Sequence, residues 1–171
     1  MKLFDRSQPE NLWYICGDFG KMQGDYDADS CKLTGQEYVV CRELQKNADG
    51  VYTRTDTFQN ISDRELTVRC LKSRFVLEGG DYEVYTQYNG WMNESRGKWQ
   101  PLVTQVTARC PSVRTSLSAS PFAAIWNNQT NRGIAFHLLP ESTWEISVSC
   151  NPVPGGKSYI QVEMGIDAPN F

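Results

Sequence analysis

Hydrophobic and polar residues alternate with a period of two along most of the chain, which is typical of strands that bury one face. The segment 143–150 shows this clearly, because Trp144, Ile146, Val148 and Cys150 fall on one side. Similar alternation, or a short run of strand-forming residues, occurs at 12–16, 37–44, 51–58, 65–71, 81–88, 101–108, 121–126, 133–139 and 158–166. The pattern predicts about ten short strands.

Turn-forming residues separate these segments. Asn-Ala-Asp-Gly at 47–50, Gly-Gly-Asp at 79–81 and Asn-Gly at 89–90 are hairpin or loop signals, and further signals lie at 60–63, 127–131 and 152–156. The segment 42–46 offers one helical turn at most. Short strands at this spacing predict an all-β fold, namely a two-sheet antiparallel β-sandwich (a supersandwich) with little helix.

The apolar positions of the alternating segments form the predicted core. In the segment 81–88, Tyr82, Val84 and Tyr88 fall on one face and Tyr85 on the other. The residues expected between the two sheets are Leu66, Val68, Val84, Phe122, Ile125, Ile134, Phe136, Trp144, Ile146, Val148, Ile160 and Val162.

Composition and charge narrow the class of protein. A chain of 171 residues, with 40% hydrophobic and 22% charged residues, is long enough for one globular domain with a full core. The net charge is −3 and the basic residues are scattered, so no nucleic-acid partner is expected. No apolar run reaches the length of a membrane span, and the opening MKLFDRSQPENLW lacks the apolar centre of a signal peptide. We therefore expect a cytoplasmic protein with no membrane partner.

Six cysteines and one histidine are the obvious candidates for redox or metal chemistry. The cysteines are widely spaced, and Cys41, Cys70 and Cys150 lie in apolar strand patterns, so reduced core thiols are favoured. Disulfides and a metal site remain as alternatives. The single histidine, His137, lies in a strand-like run and is interpreted as a sheet residue. No metal and no cofactor are expected.

The segment 17–31 differs from the rest, because it holds three glycines and four aspartates without alternation. It is predicted to be an exposed loop, and a functional loop is the alternative. Asp25, Asp27 and Asp29 alternate as calcium ligands do, but the central glycine and closing glutamate of an EF-hand are not in place.

Residues suited to recognition concentrate in a polar connector at 89–100. It contains Trp91, Asn93, Glu94, Arg96 and Trp99. Aromatic rings stack on sugar faces, and amides and carboxylates bond to hydroxyls, so the predicted substrate-binding residues are Trp91, Asn93, Glu94 and Trp99. The alternative is that both tryptophans cover the end of the core or an interface between domains.

The order of features along the chain resembles a known domain. Asn-Gly at 89–90 with Trp91 and Glu94 is followed by Arg-Thr-Ser at 114–116, Ser-Pro-Phe at 120–122 and a strand led by Gly133. This order is similar to that in the N-terminal β-sandwich of glycoside hydrolase family 36 α-galactosidases (melibiase-like). The resemblance covers 37–171 and is strongest at 58–73 and 88–140.

The resemblance implies a function without catalysis. The family's nucleophile lies in a Lys-aromatic-Asp motif and its acid further on, both in a downstream barrel, and this chain has no such motif. Residues 1–171 then correspond to a single N-terminal β-sandwich domain of a retaining glycosidase. The implied partners are the catalytic (β/α)8 barrel of the same polypeptide, α-galactoside sugars and further copies of a bacterial homo-oligomer. An independent carbohydrate-binding module and a structural interaction domain without a sugar role are the alternatives.

Overall fold

The strands found in the structure, a computed structural model, account for most of the chain. The structure describes residues 5–49, 52–90, 93–110, 119–139, 143–151 and 159–167, with the side chains of 52, 88–90 and 93–95 outside that description. Within this part of the chain there is one short 3-10 helix, Pro9–Asn11, and fourteen strands. The first seven strands are β1 (Trp13–Gly17), β2 (Gly20–Lys21), β3 (Asp25–Asp27), β4 (Lys32–Thr34), β5 (Tyr38–Lys46), β6 (Tyr52–Asn60) and β7 (Val68–Glu78). The others are β8 (Tyr82–Gly90), β9 (Asn93–Pro101), β10 (Gln105–Cys110), β11 (Ala119–Asn127), β12 (Arg132–His137), β13 (Trp144–Asn151) and β14 (Tyr159–Asp167).

The strands form three antiparallel sheets. The large sheet has the order β10-β13-β14-β7-β1-β2, the first small sheet β3-β4-β5-β6, and the second small sheet β12-β11-β8-β9. The predicted all-β antiparallel fold is confirmed, and its strands are divided among three sheets where two were expected. No helix in the described part of the chain is long and apolar enough to cross a membrane.

Both small sheets cover the same face of the large sheet. On β7, Leu71 packs against the apolar cluster under the first small sheet, whereas Leu77 belongs to the cluster under the second. Phe75, on the same face of β7, contacts Phe136 of β12 with ring centroids 5.2 Å apart. The fold is therefore a sandwich in which one layer is continuous and the other is divided in two.

Two main apolar clusters follow from this arrangement. The cluster under the second small sheet contains Leu77, Tyr82, Val84, Val106, Ile125, Phe136, Val148, Ile160 and Val162. The cluster under the first small sheet contains Leu12, Trp13, Ile15, Cys31, Leu33, Tyr38 and Val40. A third group joins Ala108, Ala119, Ala123, Trp144 and Ile146 between β10, β11 and β13.

Most of the predicted core residues are buried or half-buried on the inward side of their strands, but Phe122 lies on the outward side. Leu66, Val68 and Ile134 are half-buried and pack against the clusters. Phe122 lies opposite His137, and Ala123 and Ile125 occupy the inward positions of β11 instead. Phe122 is three residues from the inward Ile125, so the pleat of the strand places it on the outward side.

Three local predictions are corrected by the strands. The segment 17–31, predicted to be a loop, contains β2 and β3, and the segment 42–46 continues β5 without a helical turn. Most of the connector at 89–100 is strand β9. Arg96, Gly97, Lys98 and Trp99 of β9 are all exposed while the backbone pairs with β8, so this part of the strand has both sides in solvent and lacks the usual alternation.

A buried ionic network joins the first small sheet to the large sheet. Arg42 Nε donates to Asp56 Oδ1 at 2.6 Å, and Arg54 Nη2 donates to Asp56 Oδ2 at 2.8 Å. The Ser73 hydroxyl of β7 donates to the same Oδ2 at 2.7 Å. Burial alone would raise the pKa of the Asp56 carboxyl, but the hydrogen bonds from Arg42 and Arg54 outweigh it and hold the pKa at about 2.

The two guanidinium groups of this network also lie over aromatic rings. Arg42 Cζ is 5.1 Å from the centroid of Trp13, and Arg54 Cζ is 4.5 Å from that of Phe75. Arg42 Nη2 further donates to the Leu12 carbonyl oxygen at 2.6 Å. Asp56 therefore positions two cations that contact the large sheet, in addition to its own bond with Ser73.

Replacement of Asp56 by asparagine should destabilise the protein strongly. The variant leaves two largely buried guanidinium groups without their carboxylate, a change that costs about 3 kcal/mol or more. Urea unfolding at pH 7 measures this loss. Glu37→Gln is the control, because Glu37 pairs with the half-exposed Arg64 and its loss should matter much less. Equal losses for the two variants would contradict the role given to Asp56.

The contribution of Asp56 should also disappear in acid. Its folded-state pKa of about 2 lies below the unfolded value of about 3.9, so the ionised carboxylate stabilises the fold above that range. This contribution, about 2 kcal/mol, is lost as the pH falls from about 5 to 2. Urea unfolding across this range should show the gap between wild type and Asp56→Asn narrowing towards acid pH. A gap that stays constant would rule out the ionised carboxylate as its source.

Candidate functional site

The outward surface of the second small sheet is rich in aromatic side chains. On β8, Tyr82, Val84 and Thr86 are buried, so the alternate positions of that strand face away from the large sheet. The strand register extends this outward side over four strands. Its positions are Gly97, Trp99 and Pro101 on β9, Glu83, Tyr85 and Gln87 on β8, Phe122, Ala124 and Trp126 on β11, and Gly133, Ala135 and His137 on β12. We call this surface the aromatic face.

Rings contact one another in sequence across the aromatic face. The centroids of Tyr85 and Trp99 are 5.3 Å apart, with 53° between the ring planes. Phe122 approaches Tyr85 edge-on at 6.2 Å and 76°, and His137 approaches Phe122 at 6.5 Å and 64°. These tilted and edge-to-face contacts are the favoured geometries of aromatic pairs, so the rings hold each other in place.

Trp99 is exposed, whereas Tyr85 and Phe122 are half-buried. The Trp99 side chain is 47% exposed on β9, although it pairs directly with Tyr85 of β8. An indole offers a large apolar surface and one hydrogen-bond donor to a ligand that contacts it. The exposure of Trp99 next to a second ring makes this pair the centre of the candidate site.

Two glycines allow rings to lie flat on the sheet. A Cβ atom on Gly97 would fall 1.8 Å from the Tyr85 hydroxyl oxygen, so the tyrosine ring occupies the space that a side chain would need. In the same way, a Cβ on Gly133 would lie 2.7 Å from a ring carbon of Trp126. Gln87 Nε2 donates to the Tyr85 hydroxyl at 3.1 Å and fixes its end of the ring.

The aromatic face carries almost no charge. Of its twelve described positions, only Glu83 is permanently charged, and none is lysine or arginine. Arg96 and Lys98 are exposed on β9 but occupy the alternate positions of that strand. The face combines apolar rings with the hydroxyl, amide and indole groups of Tyr85, Gln87 and Trp99, which suits a neutral ligand with both apolar and hydroxylated surfaces.

Trp99 is the one predicted binding residue whose side chain the structure places on this face. Trp91 lies outside the described residues, and the side chains of Asn93 and Glu94 do too, although their backbone belongs to β9. Their grouping with Trp99 stays a prediction. The sequence reasoning missed Tyr85 as the ring in contact with Trp99, and it missed Phe122, Trp126 and His137 as further residues of the same face. The alternation along β8 was the available signal for Tyr85. This residue lies on the outward face of the strand, whereas Tyr82 and Val84 lie on the inward face.

The aspartate-rich segment is organised by local hydrogen bonds. Asp27 Oδ1 accepts from the Asp29 backbone at 2.9 Å, and Asp27 Oδ2 accepts from the Ser30 hydroxyl at 2.6 Å. These bonds lower the pKa of the Asp27 carboxyl, the hydroxyl of Ser30 being the largest cause. Among the described residues, no group of three or more His, Cys, Asp or Glu side chains is placed to hold a metal ion.

The buried polar groups of the large sheet have structural roles. Burial raises the pKa of the Cys70 thiol to about 12, so this cysteine is not a reactive thiolate. Lys72 Nζ lies 2.7 Å from Glu145 Oε1 and 2.8 Å from Asp167 Oδ2, and these partners outweigh burial and raise its pKa. Lys72 lies on β7, Glu145 on β13 and Asp167 on β14, so these two ion pairs link three strands of the large sheet.

Comparison of the chain with known protein families, with curated protein sequences and with solved structures finds no match.

Substitution of Gly97 by alanine should disturb the aromatic face without unfolding the domain. The new methyl group would displace the Tyr85 ring, break its bond with Gln87 and change its contact with Trp99. We expect a shift in Trp99 fluorescence and near-ultraviolet circular dichroism, with a stability loss of about 1 kcal/mol. Lys98→Ala, an exposed substitution at the next position, should leave both spectra unchanged. Identical spectra for the two variants would mean that Gly97 does not position Tyr85.

Proposed function

We propose that this chain is a non-catalytic carbohydrate-recognition domain, and that it serves as the N-terminal β-sandwich of an α-galactosidase-like hydrolase of glycoside hydrolase family 36. The observation that carries the proposal is the aromatic face centred on Tyr85 and Trp99, whose described positions include no lysine or arginine. The family resemblance supplies the context, in which the domain packs on a catalytic barrel in a bacterial, cytoplasmic homo-oligomer and helps to shape its sugar site.

The composition of the face supports a sugar over other ligands that stack on aromatic rings. Single-stranded nucleic acids also stack on rings, but they need lysine or arginine beside the rings to contact phosphates. The described positions of the aromatic face supply none. A sugar ring is neutral, has an apolar face of C–H groups and carries hydroxyls at its edges. These properties match exposed rings with hydroxyl and amide neighbours.

The geometry also favours binding over a purely structural role. Trp99 and Tyr85 already contact each other and are supported by Phe122, yet Trp99 stays 47% exposed. An aromatic side chain that served only to cover the sandwich would be expected on its inner side, where Trp13 and Trp144 are buried. An independent carbohydrate-binding module remains the second candidate. The same face favours it, and measurable affinity of the isolated chain for sugar would support it.

The isolated chain should bind a soluble galactose-containing saccharide, and Trp99→Ala should weaken this binding by about tenfold because a stacking surface is removed. Isothermal titration calorimetry measures the affinity. Leu139→Ala is the control, because Leu139 is a large apolar residue, 84% exposed, outside the aromatic face. If both substitutions weaken binding equally, the interaction is non-specific apolar adhesion, and the proposed recognition role fails.

The isolated chain should not hydrolyse an aryl α-galactoside. The carboxylates that the family uses for catalysis belong to a barrel that this sequence does not contain. A chromogenic assay tests this, and turnover on the order of 1 per second that one Asp or Glu substitution abolishes would refute the proposal. The reading frame that follows the codon for Phe171 provides a separate check. A barrel with a Lys-Trp-Asp motif there would support the α-galactosidase context.

A further inference from the structure

We infer that a cleft between the two small sheets binds a free aliphatic monocarboxylate of medium chain length, with its carboxylate beside Arg54 and its chain over β13 and β14. We call this space the interlayer cleft. Its volume is about 570 Å³, which is in the usual range of small-molecule sites. The cleft shares no residue with the aromatic face, so the inference is independent of the proposed sugar role.

The interlayer cleft lies where the divided layer leaves the large sheet uncovered. Among the described strands, β6 is at the edge of the first small sheet and β12 is at the edge of the second. Arg54 and Asp56 of β6 line one side of the cleft, and Leu138 and Leu139, which follow β12, line the other. The large sheet forms the floor, so a ligand in the cleft would contact both layers of the sandwich.

The strand register gives the floor a polar end and an apolar end. Trp13 of β1 pairs with Ser73 of β7, and Ser73 pairs with Met164 of β14. In the neighbouring row, Ile166 of β14 pairs with Trp144 of β13. The distance from β1 to β13 is three strand spacings, or about 14 Å. An elongated ligand that lies across these strands would meet polar groups at one end and apolar side chains at the other.

The polar end of the cleft has an excess of positive charge. Arg42 and Arg54 share one carboxylate, that of Asp56, which also accepts a hydrogen bond from Ser73. Two guanidinium groups and one carboxylate leave a net charge of one positive unit. Lys72 and its two carboxylate partners occupy the alternate positions of their strands, on the other face of the large sheet. The excess charge therefore favours an anionic group at this end of the cleft.

Trp13 adds a hydrogen-bond donor that lacks an acceptor. Its Nε1 is buried and has no hydrogen-bond partner among the described residues, and its indole lines the cleft. A buried donor without an acceptor destabilises the fold, so an acceptor oxygen supplied by a ligand would be stabilised there. A carboxylate only accepts hydrogen bonds, whereas an ammonium group only donates them. The donor of Trp13 and the charge of Arg54 thus select the same head group.

The apolar end of the cleft is open to solvent. Leu139 is 84% exposed and Ile166 is 45% exposed, and both line the cleft beside Met164 and the buried Trp144. An aliphatic chain that covers these side chains removes apolar surface from water, which favours binding. The ligand can therefore enter past Leu139 and Ile166 with its carboxylate first, and its chain then fills the apolar end.

The test compares three ligands and four variants of the full chain. Octanoate, octanol and octylamine have the same chain and differ in the head group, and titration calorimetry measures their affinities. Two-dimensional nuclear magnetic resonance follows the indole N–H of Trp13. Leu139→Asp tests the apolar end, and Val103→Asp is its matched control, because Val103 is 79% exposed and lies outside the cleft.

Arg54→Gln and Arg54→Lys test the polar end of the cleft. Far-ultraviolet circular dichroism checks the folding of each variant. If Arg54→Gln does not fold, the comparison of the three ligands on the wild-type chain tests the head group without it.

We expect octanoate to bind and to shift the Trp13 indole signal, octanol to bind about tenfold more weakly, and octylamine to show no measurable affinity. Leu139→Asp should weaken octanoate binding by about fivefold or more, and Val103→Asp by less than about twofold. Arg54→Gln should remove the preference for octanoate over octanol, and Arg54→Lys should retain part of it.

Absence of octanoate binding would overturn the inference. Equal affinity for the three ligands, or equal effects of the two aspartate variants, would also overturn it, because binding would then be non-specific apolar adsorption. Sedimentation velocity tests a second copy of the chain as the occupant of the cleft. Dimerisation that Leu139→Asp abolishes and Val103→Asp does not, with no octanoate binding, would identify that occupant and refute the ligand site. None of these outcomes affects the proposed role of the aromatic face.

Discussion

The fold depends on strand β7, because one face of this strand packs against both small sheets. On β7, Leu71 packs under the first small sheet, and Phe75 and Leu77 pack under the second. Between these positions Ser73 bonds to Asp56, whose two arginine partners lie over rings of the large sheet. Hydrophobic packing supplies most of the attraction but has no direction, whereas the network around Asp56 fixes where the first small sheet lies.

The aromatic face is a consequence of the same packing. The second small sheet is held because Val84, Ile125 and Phe136 are buried against the large sheet. Once those residues point inward, the pleat of each strand requires Tyr85, Phe122 and Trp126 to point outward. The candidate site is thus the outer side of a packed sheet, and its rings contact one another. A ligand then meets rings that are already positioned, which reduces the entropy lost on binding.

Period-two alternation was enough to predict most strands and the all-β class, because one side of each strand is buried. It failed where both sides of a strand meet solvent, as in β9, and where strands are as short as β2 and β3. Phe122 was misplaced because residues 121–126 are nearly all apolar, so composition did not show that Ala123 and Ile125, and not Phe122, point inward. For the site, Trp99 was found by its residue type. Its neighbour Tyr85, and Phe122 beyond it, come from other strands, and pairing across a sheet cannot be read from one sequence.

The order of strands in the large sheet has a consequence for folding. The first small sheet is built from β3 to β6 in sequence, so its pairings are local and can form early. The large sheet places β14 directly beside β7, and the bonded pair Arg74 and Glu163 is separated by 89 residues. Contacts across such distances slow folding, because the chain loses loop-closure entropy before the stabilising contact forms. During synthesis one backbone edge of β7 must therefore wait for β14, and a chain that lacks β14 leaves that edge unpaired and open to aggregation.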